Sequence, residues 1–214
     1  MPTQIDNLRA YWLRLAPRAQ RIRLITLLAS VGLASCASTS TKTNKDVAYS
    51  AHPTRIFVIA NLVGFGAGFP NEFEKRFVTD VTGCGGAVEF SKVLSLEMAN
   101  PLSLGTSPDA VSASKARTEQ IKSFSPDVIL TMRVAHTTRT QNGQLLNVTV
   151  ETYVWDAKSG KKIWAGLSAE RTGGMFTPDS TRAQSLYDDL ADKLRADRMI
   201  PSCAAPPTPA AKSI

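Results

Sequence analysis

The hydrophobic positions of this chain change period several times, and each change marks an element. From Arg55 to Val63 (RIFVIANLV) apolar and β-branched residues run almost without a break over strand length, the pattern of a strand covered on both faces. Beyond Gly64, Gly66 and Gly68 the spacing lengthens. Phe73, Phe77 and Val81 recur every four residues, which predicts a helix opened by Asn71 with Glu74 and stopped by Gly83. Ala87 to Leu96 alternates as a second strand, and Asp109 to Phe124 carries Val111, Ile121 and Phe124 as a second helix, ended by Ser125-Pro126.

Period two then returns, with Val128, Leu130, Met132 and Val134 on one face. Asn142-Gly143 signals a hairpin. Leu146, Val148, Val150 and Val154 continue the inward set, and a turn at Asp156 to Gly160 leads to Ile163, Ala165 and Leu167, also read as inward. Last, Ser180 caps a helix with an apolar stripe of Ala183, Leu186, Leu190 and Leu194, its Asp188, Asp189 and Asp192 turned largely to solvent. The fold class is α/β, in the α+β sense: a mixed sheet of about five strands in the order β-α-β-α-β-β-β-α, with helices packed on it.

The amino-terminal residues follow a different logic. Five arginines (Arg9, Arg14, Arg18, Arg21, Arg23) stand against one acid, Asp6, ahead of an apolar stretch from Leu24 to Leu33. As a helix that stretch would rise about 15 Å, roughly half the hydrocarbon core, which suits the h-region of a signal peptide and not a membrane span. Leu33-Ala34-Ser35-Cys36 closes it and resembles the lipobox of bacterial lipoproteins. The resemblance implies removal of residues 1–35, diacylglycerol on the Cys36 thiol and, usually, an acyl group on the new amino terminus. Two or more chains make such an anchor durable. Ala37, where an Asp would retain a member of that family at the inner membrane, implies the outer membrane, facing the periplasm.

Cleavage changes the charge. The whole chain carries +7, but without residues 1–35 there remain 20 basic against 17 acidic residues, so the basic balance gives no reason to expect a nucleic-acid partner. Residues 37–53 (ASTSTKTNKDVAYSAHP) lack apolar periodicity, so 36–53 reads as a lipidated flexible tether. Residues 54–203 have the size of one domain, and 204–214 (AAPPTPAAKSI) read as a disordered tail.

The Ser125-Pro126-Asp127-Val128-Ile129-Leu130 strand start, the long hairpin, the Asp156-x-x-x-Gly160-Lys161-x-x-Trp164 turn and the closing helix resemble a group of periplasmic domains. That group includes the amino-terminal domain of TolB, the curli-secretion lipoprotein family and the lipoprotein activators of peptidoglycan synthases. The resemblance implies a mixed sheet carrying helices, in proteins that mostly bind other envelope proteins.

Candidate chemistry is sparse. Cys84 and Cys203 are the only cysteines besides Cys36, and an even pair in an oxidising compartment suggests a disulfide, with free thiols or a metal pair as competing readings. Gly64, Gly66 and Gly68 sit where a dinucleotide loop would, with Glu89 near the end of the next strand, yet the third glycine of G-x-G-x-x-G falls on Phe69. The domain holds one histidine, His136, and no serine lies in a G-x-S-x-G elbow. Asp188 and Asp189 are adjacent on a helix and diverge, while Glu151 and Glu170 sit on strands of inferred pairing. No enzyme activity, cofactor or metal is therefore expected. Tyr153, Trp155 and Trp164 are expected to share the face opposite Val148, Val150 and Val154, either covered by helices or, with Arg133, forming a binding face for protein or lipid. Two functions follow: a binding or assembly module for an envelope protein complex, or an accessory carrier of lipid or another apolar ligand. Nothing in the sequence sets the oligomeric state.

Overall fold

The computed structural model describes residues 37–92, 108–143, 145–171 and 177–203; the expected signal peptide, Cys36 and the tail 204–214 lie outside them. In chain order come β1 (Ser38–Lys45), β2 (Arg55–Asn61), α1 (Phe69–Gly83), β3 (Ala87–Phe90), α2 (Pro108–Phe124), β4 (Val128–Arg139), β5 (Leu145–Asp156), β6 (Lys162–Arg171) and α3 (Asp179–Ala196). They build one mixed sheet in the order β1-β6-β5-β4-β2-β3. β2 runs parallel to β3 and β4, and the remaining pairs are antiparallel. The α+β class stands, with one strand more than expected.

The added strand is β1, so the tether reading of residues 36–53 fails for Ser38–Lys45. These residues pair with β6 from Ser38↔Arg171 to Lys45↔Trp164. The sequence STSTKTNK has no apolar member, and its attachment to α3 is polar. Thr41 bonds the Ser168 hydroxyl at 2.8 Å and donates to Asp189, Thr39 meets Ser185 at 2.9 Å, and Lys45 Nζ donates to the Asp197 carbonyl at 2.7 Å. Asp189, expected in solvent, is therefore half-buried. A polar edge strand also resists pairing with another chain.

α1 and α3 cover one face of the sheet. Phe69, Phe73, Phe77 and Val81 of α1 and Ala183, Leu186, Leu190 and Leu194 of α3 close over Ile56, Val58, Val128, Leu130, Met132, Val148, Val150 and Val154. Each large apolar side chain fully buried there stabilises the fold by about 2 kcal/mol relative to exposure. α2 takes the reverse face over β2, where Phe57, fully buried, meets the Phe124 ring at 6.2 Å. That explains why β2 is apolar on both sides.

Both helix starts differ from expectation. α1 begins at Phe69 with Pro70 in its first turn and without a cap from Asn71. α3 begins at Asp179, after Pro178, without one from Ser180. The Asp179 carboxylate instead accepts the Gly68 N–H at 3.2 Å, joining the two helix starts.

Candidate functional site

Among the described residues α2 meets the sheet at β2 through Phe124, and the outward residues of β4 and β5 form a half-buried face beside it. Arg133 on β4 stands opposite Glu151 on β5 and donates to its Oε2 at 2.7 Å. The Tyr153 hydroxyl donates to the same oxygen at 3.1 Å, and Trp155 Nε1 donates to the Thr131 hydroxyl at 3.1 Å. The Tyr153 and Trp155 rings lie 6.3 Å apart, with Lys162 Nζ 5.2 Å from the Tyr153 centroid. All of these residues except exposed Lys162 are half-buried. The hydrogen bond to Glu151 and its charge raise the Arg133 pKa. Partial burial, then Glu151, raises that of Tyr153, which stays a neutral donor. The result is an apolar and aromatic surface crossed by one fixed ion pair, a composition suited to protein contact.

Three of the four expected face residues, Arg133, Tyr153 and Trp155, are thus brought together. Trp164 is not among them. It pairs with Val154, is 1% exposed, and donates from Nε1 to Asp197 at 2.7 Å in the helix-covered layer. The inward set on β6 is Trp164, Gly166, Ser168 and Glu170, while Ala165 is half-buried and Leu167 is 44% exposed. The cause is a register irregularity between Val154 and Trp155, where the pairing skips from Trp164 to Lys162. A one-residue slip exchanges the faces, and it leaves Ile163 buried as well. Gly166 makes room for the indole, since a Cβ there would collide with the Trp164 ring.

The glycine loop is filled. A Cβ on Gly66 would collide with the Asp179 carboxylate, which also lies against Gly68, so a negative side chain occupies the space where a phosphate loop would place its ligand. His136 is exposed on β4, beside the Thr138 hydroxyl. Glu89 is half-buried on β3.

Sequence reading missed two polar clusters. In the first, Glu170 (1% exposed) accepts from Arg182 (7% exposed) at 3.0 Å, and the guanidinium stacks 5.0 Å from the Phe65 centroid. Burial raises the Glu170 pKa in spite of Arg182. Its only sequence signal is a charge at an inward strand position, visible once the register is known. In the second, Tyr187 and Arg195 of α3 both donate to Asp80 of α1, and burial followed by Asp80 raises the Tyr187 pKa. This cluster floors a groove of about 590 Å³ between the helices, walled by Glu72, Lys75, Arg76 and Asp188.

Beside it the expected disulfide is formed: Cys84 and Cys203 are bonded, their Cα atoms 4.4 Å apart. Asp80 lies close to both sulfurs, but a disulfide offers no thiolate to a metal. No helix among the described residues is long and apolar enough to cross a membrane.

No protein-family model matches the chain, and no curated protein does. Solved structures similar to it include the PelC dodecamer from Paraburkholderia phytofirmans, 17% identical over 72% of this chain and 95% of that one, with a TM-score of 0.43. A lipoprotein from Neisseria meningitidis is 17% identical over 66% of this chain and 96% of that one, at 0.36. Likenesses of this depth carry no function across to this chain.

Proposed function

We propose that this chain is a lipid-anchored envelope protein, held at Cys36 to the outer membrane and facing the periplasm, whose domain is a non-enzymatic binding or assembly module for an envelope protein. The observation that carries the reading is the half of the sheet that no described helix is seen to cover, where Arg133 and Tyr153 both donate to Glu151 beside the half-buried Trp155, itself bonded to Thr131. Aromatic rings and an arginine at the centre of a flat face are the residue types that dominate protein interfaces. The order of Arg-rich segment, apolar stretch and Leu33-Ala34-Ser35-Cys36 supports the anchor.

The alternative, a carrier of lipid or another apolar ligand, asks for an apolar chamber. The groove between α1 and α3 is walled by charged side chains, and the shallow hollow of about 380 Å³ beside β1 mixes Ser38, Ser40, Asn147, Thr149 and Arg171 with Val148 and Ala169 and lies open to solvent rather than enclosing a chamber. Both weigh toward the binding module.

A photoreactive residue in place of Trp155 tests the face in cells. The expected result is one discrete protein adduct that Arg133→Glu abolishes and that a probe at Glu74, on the outside of α1, does not give. Equal labelling from both positions would count against the face. Independently, Cys36→Ala should move the protein to the soluble fraction, and continued membrane attachment would refute the anchor.

A further inference from the structure

We propose that the end of the sheet where β1 begins is a membrane-contact surface, seated on the lipid headgroups through Val63 and Leu146; the inference rests on lipidation at Cys36. Chain length brings this end to the bilayer. The Ala37 carbonyl accepts the Ser185 hydroxyl at 3.4 Å and Ser38 is paired with Arg171, so Cys36 is covalently one residue from packed backbone. At no more than about 3.6 Å per residue, no spacer exists to lift this end from the bilayer that holds the acyl chains.

Strand register shows what else lies at that end. Ser38 is level with Arg171 and, one strand further, with Asn147; beside that, Arg139 is level with Leu145. β2 runs parallel to β4, so its exit at Asn61 points the same way. Arg139 ties the rim together, donating at 3.0 Å to the Gly64 carbonyl after β2 and at 3.0 Å to the Gly143 carbonyl in the hairpin turn. Four large apolar side chains are exposed among the described residues: Val47 at 97%, Val63 at 74%, Leu146 at 41% and Leu167 at 44%. Val63 and Leu146 belong to this rim, Leu167 to the face that carries Glu151, and Val47 to the β1–β2 connection at the far end. Apolar side chains held against an interface enter the boundary between headgroups and acyl chains. The exposed Arg171 beside them suits a lipid phosphate. So seated, the sheet stands with its strands rising from the membrane and the face that carries Glu151 turned sideways.

The test uses the mature lipidated protein, which begins at Cys36, in phosphatidylethanolamine and phosphatidylglycerol vesicles containing brominated acyl chains. Val63→Trp, Leu146→Trp and Val47→Trp are compared over the constant background of Trp155 and Trp164, with flotation measured on the same samples. Val63→Trp and Leu146→Trp should be quenched about twofold more than Val47→Trp, given insertion of roughly 5–10 Å. Protein that floats while the three are quenched alike overturns the seating and leaves the anchor intact. Protein that does not float, matching the Cys36→Ala control, overturns both.

Discussion

The two faces of this sheet are made from the same alternating strands and answer to different surroundings. On the side of α1 and α3, Val150, Val154, Met132 and Trp164 are shut off from water within one apolar cluster. On the other side, positions one residue along, Glu151, Tyr153, Trp155 and Arg133, are half-covered and joined by hydrogen bonds. The first face draws its stability from area removed from water; the second holds a fixed polar pattern that costs little to keep wet. An aromatic residue here therefore says nothing about its role until its face is known.

The sharpest way to break the comparison is to truncate one tryptophan on each face. Trp164→Ala should cost about 4 kcal/mol by leaving a cavity, and Trp155→Ala on the order of 1 kcal/mol, read from guanidinium unfolding midpoints. Equal losses would mean that both faces are core. Next in size comes Cys84→Ser with Cys203→Ser, which opens a loop of sequence separation 119; the expected loss is about 3 kcal/mol, and a midpoint unchanged by reductant would contradict it.

Glu170 supplies a smaller effect with a definite sign. Because burial raises its pKa in the fold, the folded state holds the proton where the unfolded chain has released it. The stability it contributes is complete below the ordinary carboxylate range and lost as pH rises through the folded value. Glu170→Gln should flatten that decline. Asp127 has the opposite sign: burial opposes its charge, but hydrogen bonds from Thr54 and Arg55 hold its pKa down, so its contribution is lost as pH falls through that lowered value, and Asp127→Asn should blunt the loss. Smallest of all, Arg133→Ala should change stability by less than about 1 kcal/mol, because the Arg133–Glu151 pair is partly exposed, while removing the Trp155 adduct.

What the sequence discloses follows the apolar signal. The β2 run, the Phe73-Phe77-Val81 spacing, the β4 alternation, the Asn142-Gly143 turn and the α3 stripe are all found where the periods place them. β1 escapes because it is tied by hydroxyls, and hydroxyls look the same in a strand and in a loop. The side of Trp164 escapes because an irregularity in pairing is not written in either strand alone. The α1 start escapes because its hydrogen-bond partner, Asp179, lies 111 residues away. For the candidate site, Arg133, Tyr153 and Trp155 were legible from parity. Glu151 as their common acceptor needed the register.

β1 also has a bearing on the order of assembly. It is the first part of the domain to be made and it pairs with β6, a separation of 127 residues between Thr41 and Ser168, while Cys84 waits for Cys203. As the chain emerges, the strand adjoining Cys36 stays without its neighbour until the final hairpin arrives, and such distant pairings are slow to form. Interrupting synthesis before β6 would therefore leave a chain with an unzipped border, a form that proteases would recognise and that the finished molecule conceals.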